Sequence, residues 1–366
     1  MKKRALLLLL ISALTLLPLT GCGKSKNADV HVFYYTFSDT YISSVRSTLD
    51  SKLSASGISY QDYDGNGNQT TQTEQIRTAI TKGARALLVN IVNTGSDDAA
   101  AEIVALAKDA GIPLIFFNRE VSDATVSSYD RCAFVGTRAE EAGILQGEMI
   151  GDYLLANYAA LDLNGDGVIS YVLFKGEEGN NEAIFRTRYS VEEANKKLTA
   201  AGKPALRFYD AANKNGYLVD KNGQWSAGAA SEYMTTLLTT YNAAGGNMVE
   251  LVICNNDGMA EGAISALNTA GYNKGEGTPT IPVFGVDATD AARSLIEKGQ
   301  MAGTVRQDAE GMADALRHLV GNALTEGRDL MTDTAVFTVD EGTRKIRIHY
   351  TKYVGERYGK TRNSAA

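Results

Sequence analysis

The chain has 366 residues, a formal net charge of −7 and a composition that is 44% hydrophobic and 22% charged. This length suggests two domains, and an acidic chain without a basic patch argues against nucleic acid as a partner. Three cysteines are too few for a disulfide-stapled scaffold.

The N-terminal segment predicts export from the cytoplasm. A basic start, Lys2-Lys3-Arg4, precedes the apolar run 5–17, which is too short to span a bilayer as a helix, so residues 1–21 are predicted to be a signal peptide. The stretch Leu19-Thr20-Gly21-Cys22 resembles a bacterial lipobox, in which Cys22 becomes the lipidated first residue. A plain signal peptide with an incidental cysteine is the alternative. Residues 22–29 would then form the lipid-anchored linker.

Strand-like and helix-like patterns alternate along the rest of the chain. Buried strands are predicted at 30–37, 86–92, 113–117, 168–174, 251–254 and 282–286. Helices are predicted between them, among others at 97–110, 139–160 and 260–270. This alternation predicts an α/β fold in which parallel sheets are covered by helices on both faces.

Two parts of the chain also resemble each other. A strand at 87–90, a helix and the strand 112–118 form one copy, and the strands 251–255 and 281–287 around another helix form the second. Both second strands begin with Ile-Pro and end in a polar residue, Asn118 or Asp287. Duplication into two α/β halves is favoured over chance similarity between buried strands. The carboxyl ends of such strands are where open α/β sheets bind ligands.

The segment 162–170 resembles a calcium loop that lacks its last ligand. Asp162, Asn164 and Asp166 occupy loop positions 1, 3 and 5, Gly167 provides the turn, and the Val168 carbonyl and Ser170 can serve at positions 7 and 9. The twelfth position, which normally supplies a bidentate glutamate, is Leu173. A turn rich in Asp, Asn and Gly that binds no ion is the alternative. We favour calcium.

The sequence offers little support for catalysis. His31, His318 and His349 are the three histidines of the chain, and none lies beside an obvious nucleophile. No Gly-x-Ser-x-Gly elbow or phosphate-binding loop is present. A glycosidase needs only two carboxylates without fixed spacing, so that alternative stays open.

Sugar recognition has better support, because sugar hydroxyls pair with planar polar groups and a sugar ring stacks on an aromatic plate. Asp39 and Tyr41 follow the first strand, Asn118 and Asp287 end two others, and Asn255-Asn256-Asp257 ends a fourth. Trp225, the one tryptophan, lies in a polar stretch, so ligand stacking is favoured over core packing.

With these residues in view, the chain resembles the type I periplasmic sugar-binding proteins of ABC transporters, and among them the galactose/glucose-binding group. The similarity extends from Val30 to about Val354. It is carried by segments 116–120, 128–130, 135–137, 143–147 and 175–177, by the loop 162–170, and by 255–257, 282–288 and 303–305.

This resemblance implies a two-lobed fold in which each lobe is a parallel sheet flanked by helices, with a hinge between the lobes. Residues 30–137 and 308–346 would form the N-terminal lobe, residues 138–307 and 347–354 the C-terminal lobe, and 355–366 a polar tail. It also implies that Glu250 supplies the missing calcium carboxylate. The implied calcium ligands are therefore Asp162, Asn164, Asp166, Val168, Ser170 and Glu250.

The sugar-contacting positions follow from the same resemblance, residue by residue. They are Asp39, Tyr41, Asn118, Asn180, Glu182, Arg186, Trp225, Asn256, Asp287 and Gln307. Four of these depart from the family pattern: Tyr41 stands for Phe, Asn180 for His, Glu182 for Asp and Gln307 for Asn. The last two each add one methylene, which displaces a polar group by about 1.5 Å.

We therefore expect a monomeric extracytoplasmic binding protein that captures D-galactose or D-glucose, contains structural Ca²⁺ and docks on an ABC permease. It would be lipid-anchored through Cys22 to the outer face of the bacterial cell membrane, or periplasmic. Binding of a related monosaccharide, or signalling to a chemoreceptor or sensor kinase, are the alternatives. A sugar-responsive repressor would need a helix-turn-helix where this chain has a signal peptide.

Overall fold

The computed structural model describes residues 27–275 and 277–355. Its strands, numbered in chain order, are β1 (Val30–Tyr34), β2 (Tyr60–Asp64), β3 (Ala86–Val89), β4 (Leu114–Phe117), β5 (Cys132–Gly136), β6 (Ser170–Lys175), β7 (Arg207–Phe208), β8 (Leu218–Val219), β9 (Leu251–Cys254), β10 (Val283–Asp287), β11 (Gly303–Arg306), β12 (Thr338–Val339), β13 (Lys345–Arg347) and β14 (Thr351–Tyr353). The predicted signal peptide, Cys22 and nearly all of the predicted tail lie outside the described residues.

Helices connect most of these strands. They are α1 (Thr40–Ala55), α2 (Gln69–Thr81), α3 (Asp98–Asp109), α4 (Asp123–Ser127), α5 (Ala139–Leu161), α6 (Asn181–Ala200), α7 (Ala227–Thr240), α8 (Asp257–Thr269), α9 (Asp290–Glu297) and α10 (Ala309–Leu324). Within the described ranges, none of these helices combines the length and the apolar character that crossing a bilayer requires.

The strands form two sheets, which confirms the α/β prediction. The first sheet has the order β12-β13-β5-β4-β3-β1-β2, and the second has the order β14-β11-β10-β9-β6-β7, with β8 also paired to β6. The pairs are parallel except at one edge of each sheet, where β12–β13 and β11–β14 are antiparallel. The sheets are therefore mixed, with a short antiparallel strand at one edge of each.

Each sheet is buried on both faces, as expected for parallel strands covered by helices. In β1, Val32 and Tyr34 pack with residues of α1 and α10, whereas Phe33 packs with residues of α2 and α3. In β6, Phe174 packs with residues of α7 and α8, and Leu173 packs with residues of α5 and α6. Alternating apolar side chains therefore fix which helices lie on which face.

The two sheets define two lobes. The N-terminal lobe contains β1–β5, β12 and β13 with α1–α4 and α10, and the C-terminal lobe contains β6–β11 and β14 with α5–α9. The chain passes between them after β5, after β11 and after β13. Arg347 pairs with Gly136 in the first sheet, so the predicted boundary between residues 346 and 347 falls inside β13.

The three passages lie against one another. Arg347 donates from Nη1 to the carbonyl of Thr137 at 2.7 Å, and the hydroxyls of Thr137 and Tyr350 are 3.0 Å apart. These contacts join the first passage to the third. The side chains of Thr137, Arg347 and Tyr350 are buried at this junction. The junction is therefore the pivot about which one lobe has to move against the other.

The internal repeat occupies corresponding places in the two lobes. Strands β3 and β4 lie between β1 and β5, and strands β9 and β10 lie between β6 and β11. This correspondence supports the duplication hypothesis. Cys132 in β5 and Cys254 in β9 are buried, free and in different sheets.

A pair of aspartates is packed between α1 and β2. The carboxyl groups of Asp50 and Asp62 interact, and Oδ1 of each is buried without a hydrogen-bond partner among the described residues. Two carboxyl groups this close favour a state in which one of them holds a proton. Burial, followed by the charge of Asp50, raises the pKa of Asp62 to about 7, although Arg46 acts in the opposite direction. The native N-terminal lobe therefore holds a proton that the unfolded chain releases at lower pH.

We expect the Asp62→Asn variant to lose part of the pH dependence of stability. Between about pH 4 and pH 7 the native Asp62 binds more proton than the unfolded one, so the free energy of unfolding falls as pH rises through this window. An asparagine is neutral throughout, so the variant should melt at a higher temperature than the parent at pH 8. Thermal melts from pH 4.5 to pH 8.5 measure this.

The exposed Asp130 provides the matched control. Asp130→Asn should retain the parental slope of melting temperature against pH. A parental slope in Asp62→Asn as well would show that the shared proton does not contribute to stability.

Candidate functional site

A cavity lies between the lobes, where the carboxyl ends of strands from both sheets approach each other. All ten predicted sugar-contacting residues line it: Asp39, Tyr41, Asn118, Asn180, Glu182, Arg186, Trp225, Asn256, Asp287 and Gln307. Tyr35, Ile42 and Arg119 line it too, and sequence reasoning did not select them. Tyr35 follows β1 directly and Arg119 follows Asn118, so their positions after strands were the available signal.

Three of the predicted residues also begin helices at the cavity. Asp39 accepts a hydrogen bond from Ile42 N at 2.7 Å and begins α1, Asn180 caps α6 through Ala183 N at 3.1 Å, and Asn256 caps α8 through Met259 N at 2.9 Å. A cap residue satisfies backbone N–H groups that have no partner within the helix. One oxygen of each side chain is thereby held in place at the rim of the cavity.

Positive φ angles occur at three residues that line the cavity. Asn118 has φ 61°, Trp225 has φ 55° and Asp287 has φ 126°, and Ala288 follows with φ 56°. Such values are uncommon for residues with side chains and cost free energy that the surrounding structure has to offset. Asn118 follows β4 and Asp287 ends the corresponding strand β10, so both halves of the repeat present a polar residue with a positive φ angle at this edge, although the two φ angles differ.

Arg186 lies at the centre of the polar groups. Its guanidinium donates to the Asn255 carbonyl at 2.9 Å, to Gln307 Oε1 at 3.2 Å and to the hydroxyl of Tyr350 at 2.8 Å. Burial raises the pKa of Asp287 well above its usual value, and Arg186 only partly opposes this effect. The cavity therefore encloses acidic and basic side chains close together.

Several buried polar atoms at the cavity have no hydrogen-bond partner within the described residues. They are Glu182 Oε1, Arg186 Nε, Gln307 Nε2 and Arg119 Nε. Burial also raises the pKa of Glu182, against the effect of Arg186. Buried polar groups are normally paired, and leaving them unpaired costs free energy. A ligand that carries several hydrogen-bonding groups would satisfy both donors and acceptors here.

Trp225 forms an aromatic wall of the cavity. A Cβ on Gly176 would come within 2.1 Å of the indole, so the ring packs directly on the Gly176 backbone. The indole N–H donates to Glu177 Oε2 at 3.3 Å, and the Trp225 carbonyl accepts from Asn256 at 3.2 Å. The hydroxyl of Tyr41, the other predicted stacking residue, donates to Met312 Sδ at 3.8 Å.

The predicted calcium residues come together at the opposite end of the C-terminal lobe, between α5 and β6. Glu250 is fully buried and accepts hydrogen bonds from Leu163 N and Ser170 N, both at 2.8 Å. The loop turns through Asp162, whose Oδ2 accepts from Gly167 N at 2.9 Å. The distant Glu250 therefore closes the loop from outside, where Leu173 could not.

This donor set fits an oxygen-binding cation. Asp162 Oδ1 is buried without a partner among the described residues, which leaves an acceptor directed into the loop. In the described chain no three His, Cys, Asp or Glu side chains are placed to hold a metal by themselves. A cation would also need the neutral oxygens of Asn164, Val168 and Ser170, which are donors that calcium accepts. Asn164 and Asp166 are the exposed members, and Asp166 pairs with Arg207 at 2.5 Å.

Comparison with known proteins agrees with this geometry. A family model for the periplasmic binding protein domain matches residues 30–329. The D-galactose/methyl-galactoside binding periplasmic protein MglB of Haemophilus influenzae is 33% identical over 359 residues, which cover 97% of each chain.

Solved structures share the fold at lower identity. A solute binding protein from Clostridium phytofermentans with bound β-D-glucose has a TM-score of 0.68 and 20% identity, covering 91% of this chain and 95% of that one. Another, from Bacillus halodurans with bound myo-inositol, has a TM-score of 0.66 and 22% identity, covering 93% and 99%. The chain therefore belongs to the periplasmic binding protein family, as an extracytoplasmic substrate-binding protein and not an enzyme.

Proposed function

We propose that this protein captures a hexose, D-galactose or D-glucose, between its lobes and delivers it to an ABC importer. The observation that carries the proposal is the combination of an aromatic wall, Trp225, with buried polar atoms that have no partner among the described residues. The first suits the C–H face of a sugar ring, and the second suits its hydroxyls. The 33% identical relative, a D-galactose/methyl-galactoside binding periplasmic protein, supports the same choice.

The polar residues provide complementary hydrogen bonds to hydroxyl groups. The carboxylates of Asp39, Glu182 and Asp287 accept, while the guanidinium of Arg186 donates and amides such as that of Asn118 do both. Charge-assisted hydrogen bonds are stronger than neutral ones, and a buried site lacks competing water. Membership of the periplasmic binding protein family supports binding and release without chemistry on the ligand.

The lengthened side chains of Glu182 and Gln307 bear on which sugar is preferred. Gln307 uses its Oε1 to accept from Arg186, which leaves Nε2 for a ligand hydroxyl. Glu182 keeps Oε1 available in the same region. A hydroxyl of galactose or glucose can form hydrogen bonds with these atoms if the sugar ring shifts slightly in the cavity. A related monosaccharide is the alternative, and a sugar sensor for a chemoreceptor or kinase is the alternative output.

Closure of the lobes follows from where the site residues originate. Asp39 and Asn118 belong to the N-terminal lobe, whereas Arg186, Trp225 and Asn256 belong to the C-terminal lobe. A ligand that contacts both lobes binds the closed form more tightly than the open form and shifts the population towards it. Hinge closure of this kind is the signal that a permease could read.

We expect titration calorimetry on the chain from Asn27, with calcium present, to show binding of D-galactose or D-glucose. A micromolar dissociation constant corresponds to about −8 kcal/mol. myo-Inositol and D-allose, which are bound by structural neighbours, serve as competing ligands. Absence of heat with both hexoses from a folded chain would assign the site to another small polyol.

Two glycine variants test whether Trp225 forms part of this site. Gly176→Ala places a Cβ 2.1 Å from the indole and should displace it, so hexose affinity should fall at least ten-fold. Gly228→Ala, in an open position on α7, is the matched control and should bind as the parent does. Equal affinity of both variants would contradict stacking on Trp225.

We further propose that calcium binds in the loop 162–170 with Glu250 and stabilises the C-terminal lobe. Asp162, Asn164, Asp166, the Val168 carbonyl, Ser170 and Glu250 would be its oxygen ligands. The buried, unpartnered Asp162 Oδ1 and the buried Glu250 support the proposal, because a cation there would offset two enclosed negative charges. The ion would lie away from the sugar and act on folding.

Removal of calcium should therefore lower the melting temperature. An ion at 100 times its dissociation constant contributes about 2.7 kcal/mol to the free energy of unfolding if it binds only the native state. Glu250→Gln should melt at a lower temperature than the parent, and a chelator should not lower that temperature further. Glu232→Gln, at an exposed position of α7, should keep the parental melting temperature and the parental response to chelator. An unchanged melting curve in chelator, with no metal found by elemental analysis, would refute the proposal.

Lipid attachment at Cys22 is a further part of the proposed function, since a tether would keep the binding protein beside its permease. The full chain should incorporate labelled fatty acid in a bacterial host and sediment with membranes, and Cys22→Ser should do neither. No label in the parent would leave a freely diffusing periplasmic protein, and label in the variant would place the attachment at another residue. We propose that the protein is a monomer, because a permease has to contact both lobes.

A further inference from the structure

Glu177 occupies a position between the two lobes that the sugar contacts do not explain. It follows β6 in the C-terminal lobe and does not line the cavity. Its carboxylate accepts from Arg119 Nη2 at 2.8 and 3.0 Å, and from the indole N–H of Trp225 at 3.3 Å. One side chain thus joins the N-terminal lobe to the aromatic wall of the C-terminal lobe.

Arg119 is fixed within its own lobe before it meets Glu177. It is 5% exposed, donates to the Val92 carbonyl at 2.8 Å and lies with its guanidinium carbon 4.4 Å from the centroid of the Tyr35 ring. These contacts place the guanidinium at the edge of the N-terminal lobe that faces the cleft. Separation of the lobes would leave this charge without its carboxylate partner.

A contact with Glu177 completes the set that fixes the orientation of the Trp225 indole. The face of the indole rests on Gly176, and the Trp225 carbonyl is held by Asn256. The indole N–H is then the one polar atom of the ring, and a buried indole N–H normally has a partner. Glu177 supplies that partner with the same Oε2 that contacts Arg119.

The lobes are close along this side of the cleft at other places too. Asn180 donates to Thr94 Oγ1 of the N-terminal lobe at 3.3 Å. The amide nitrogen of Gln224 lies 2.8 Å from the position that a Cβ on Gly67 would take. The Arg119–Glu177 ion pair therefore belongs to a set of contacts that form only when the lobes are together.

We propose that Glu177 is a positioning residue that couples closure of the lobes to the orientation of Trp225. When the lobes meet, Arg119 fixes the Glu177 carboxylate, and that carboxylate fixes the indole against which the sugar stacks. The inference rests on the proposed sugar-binding function. Release of the ligand has to break the ion pair, so Glu177 acts mainly on the dissociation rate.

Stopped-flow fluorescence tests the coupling, because Trp225 is the one tryptophan of the chain and reports on the site directly. With the hexose that binds in calorimetry, Glu177→Gln should raise the dissociation rate about ten-fold or more and change the association rate less than about three-fold. Glu178→Gln is the matched control, since its carboxylate bonds to Lys175 and Tyr217 within one lobe. Parental dissociation from Glu177→Gln would overturn the proposal.

A double-mutant cycle with Arg119→Met separates coupling from a local effect. If Arg119 acts through Glu177, the ligand should dissociate from the double variant at most about three times as fast as from the faster single variant. Rates that multiply would show that the two residues act independently and would overturn the relay.

A ligand-free measurement keeps this inference distinct from the sugar assignment. The bond between the indole N–H and Glu177 Oε2 lies within the C-terminal lobe and does not require closure. Without ligand, acrylamide should therefore quench Trp225 more strongly in Glu177→Gln than in the parent or in Glu178→Gln, at equal melting temperature. If the parent binds neither hexose, the hexose assignment fails while this comparison still decides the positioning role. Equal quenching in all three proteins would overturn that role even if hexose binds.

Discussion

The buried guanidinium of Arg186 is the interaction on which the arrangement of the site depends. It bonds to the Asn255 carbonyl at the end of β9, to Gln307 after β11 and to Tyr350 after β13. Two of these partners lie on passages between the lobes, so one side chain links the sugar site to the hinge. Removing it would leave Glu182 and Asp287 enclosed without their nearest positive charge, which is strongly unfavourable.

Around this centre, the protein satisfies two opposed requirements. Strands buried on both faces give each lobe an apolar core, whereas the cleft between the lobes has to be polar. The change from apolar to polar side chains occurs within one or two residues at the strand ends. Helix caps such as Asp39 and positive φ angles at Asn118 and Asp287 make so abrupt a change possible. The strain at these positions is offset by the packed strands that precede them.

Much of this could be predicted from the sequence because it depends on local pattern. Apolar runs gave the strands β9 and β10 almost residue by residue, and polar residues after them marked the ligand edge. The convergence of Arg186, Trp225 and Gln307 required a family resemblance, since nothing local states which side chains from distant segments meet. Arg119 and Glu177 were missed because their ion pair crosses the cleft. Tyr35 was missed because its contacts with Asp39 and Arg119 join separate segments of one lobe.

Other features escaped the sequence for a related reason. Strands β7 and β8 have two residues each, which is too few to show the alternation of apolar and polar residues that marks a strand. Both form by pairing with the edge of β6. The Asp50–Asp62 pair joins a helix to an edge strand, and either residue alone looks like an ordinary surface aspartate. Long-range pairing of like charges is visible only when the fold is known.

Strand β9 has a consequence for how the two ends of the C-terminal lobe communicate. Glu250 directly precedes its four residues, Leu251–Cys254, and Asn255 and Asn256 directly follow them. A strand of this length spans about 13 Å, and all four of its residues are fully buried. The carboxylate that closes the loop and the amides at the cleft therefore lie at the two ends of one short, buried strand. Whatever orders one end of β9 reduces the conformational freedom of the other end, so ion and sugar would act on the same strand without sharing a ligand atom.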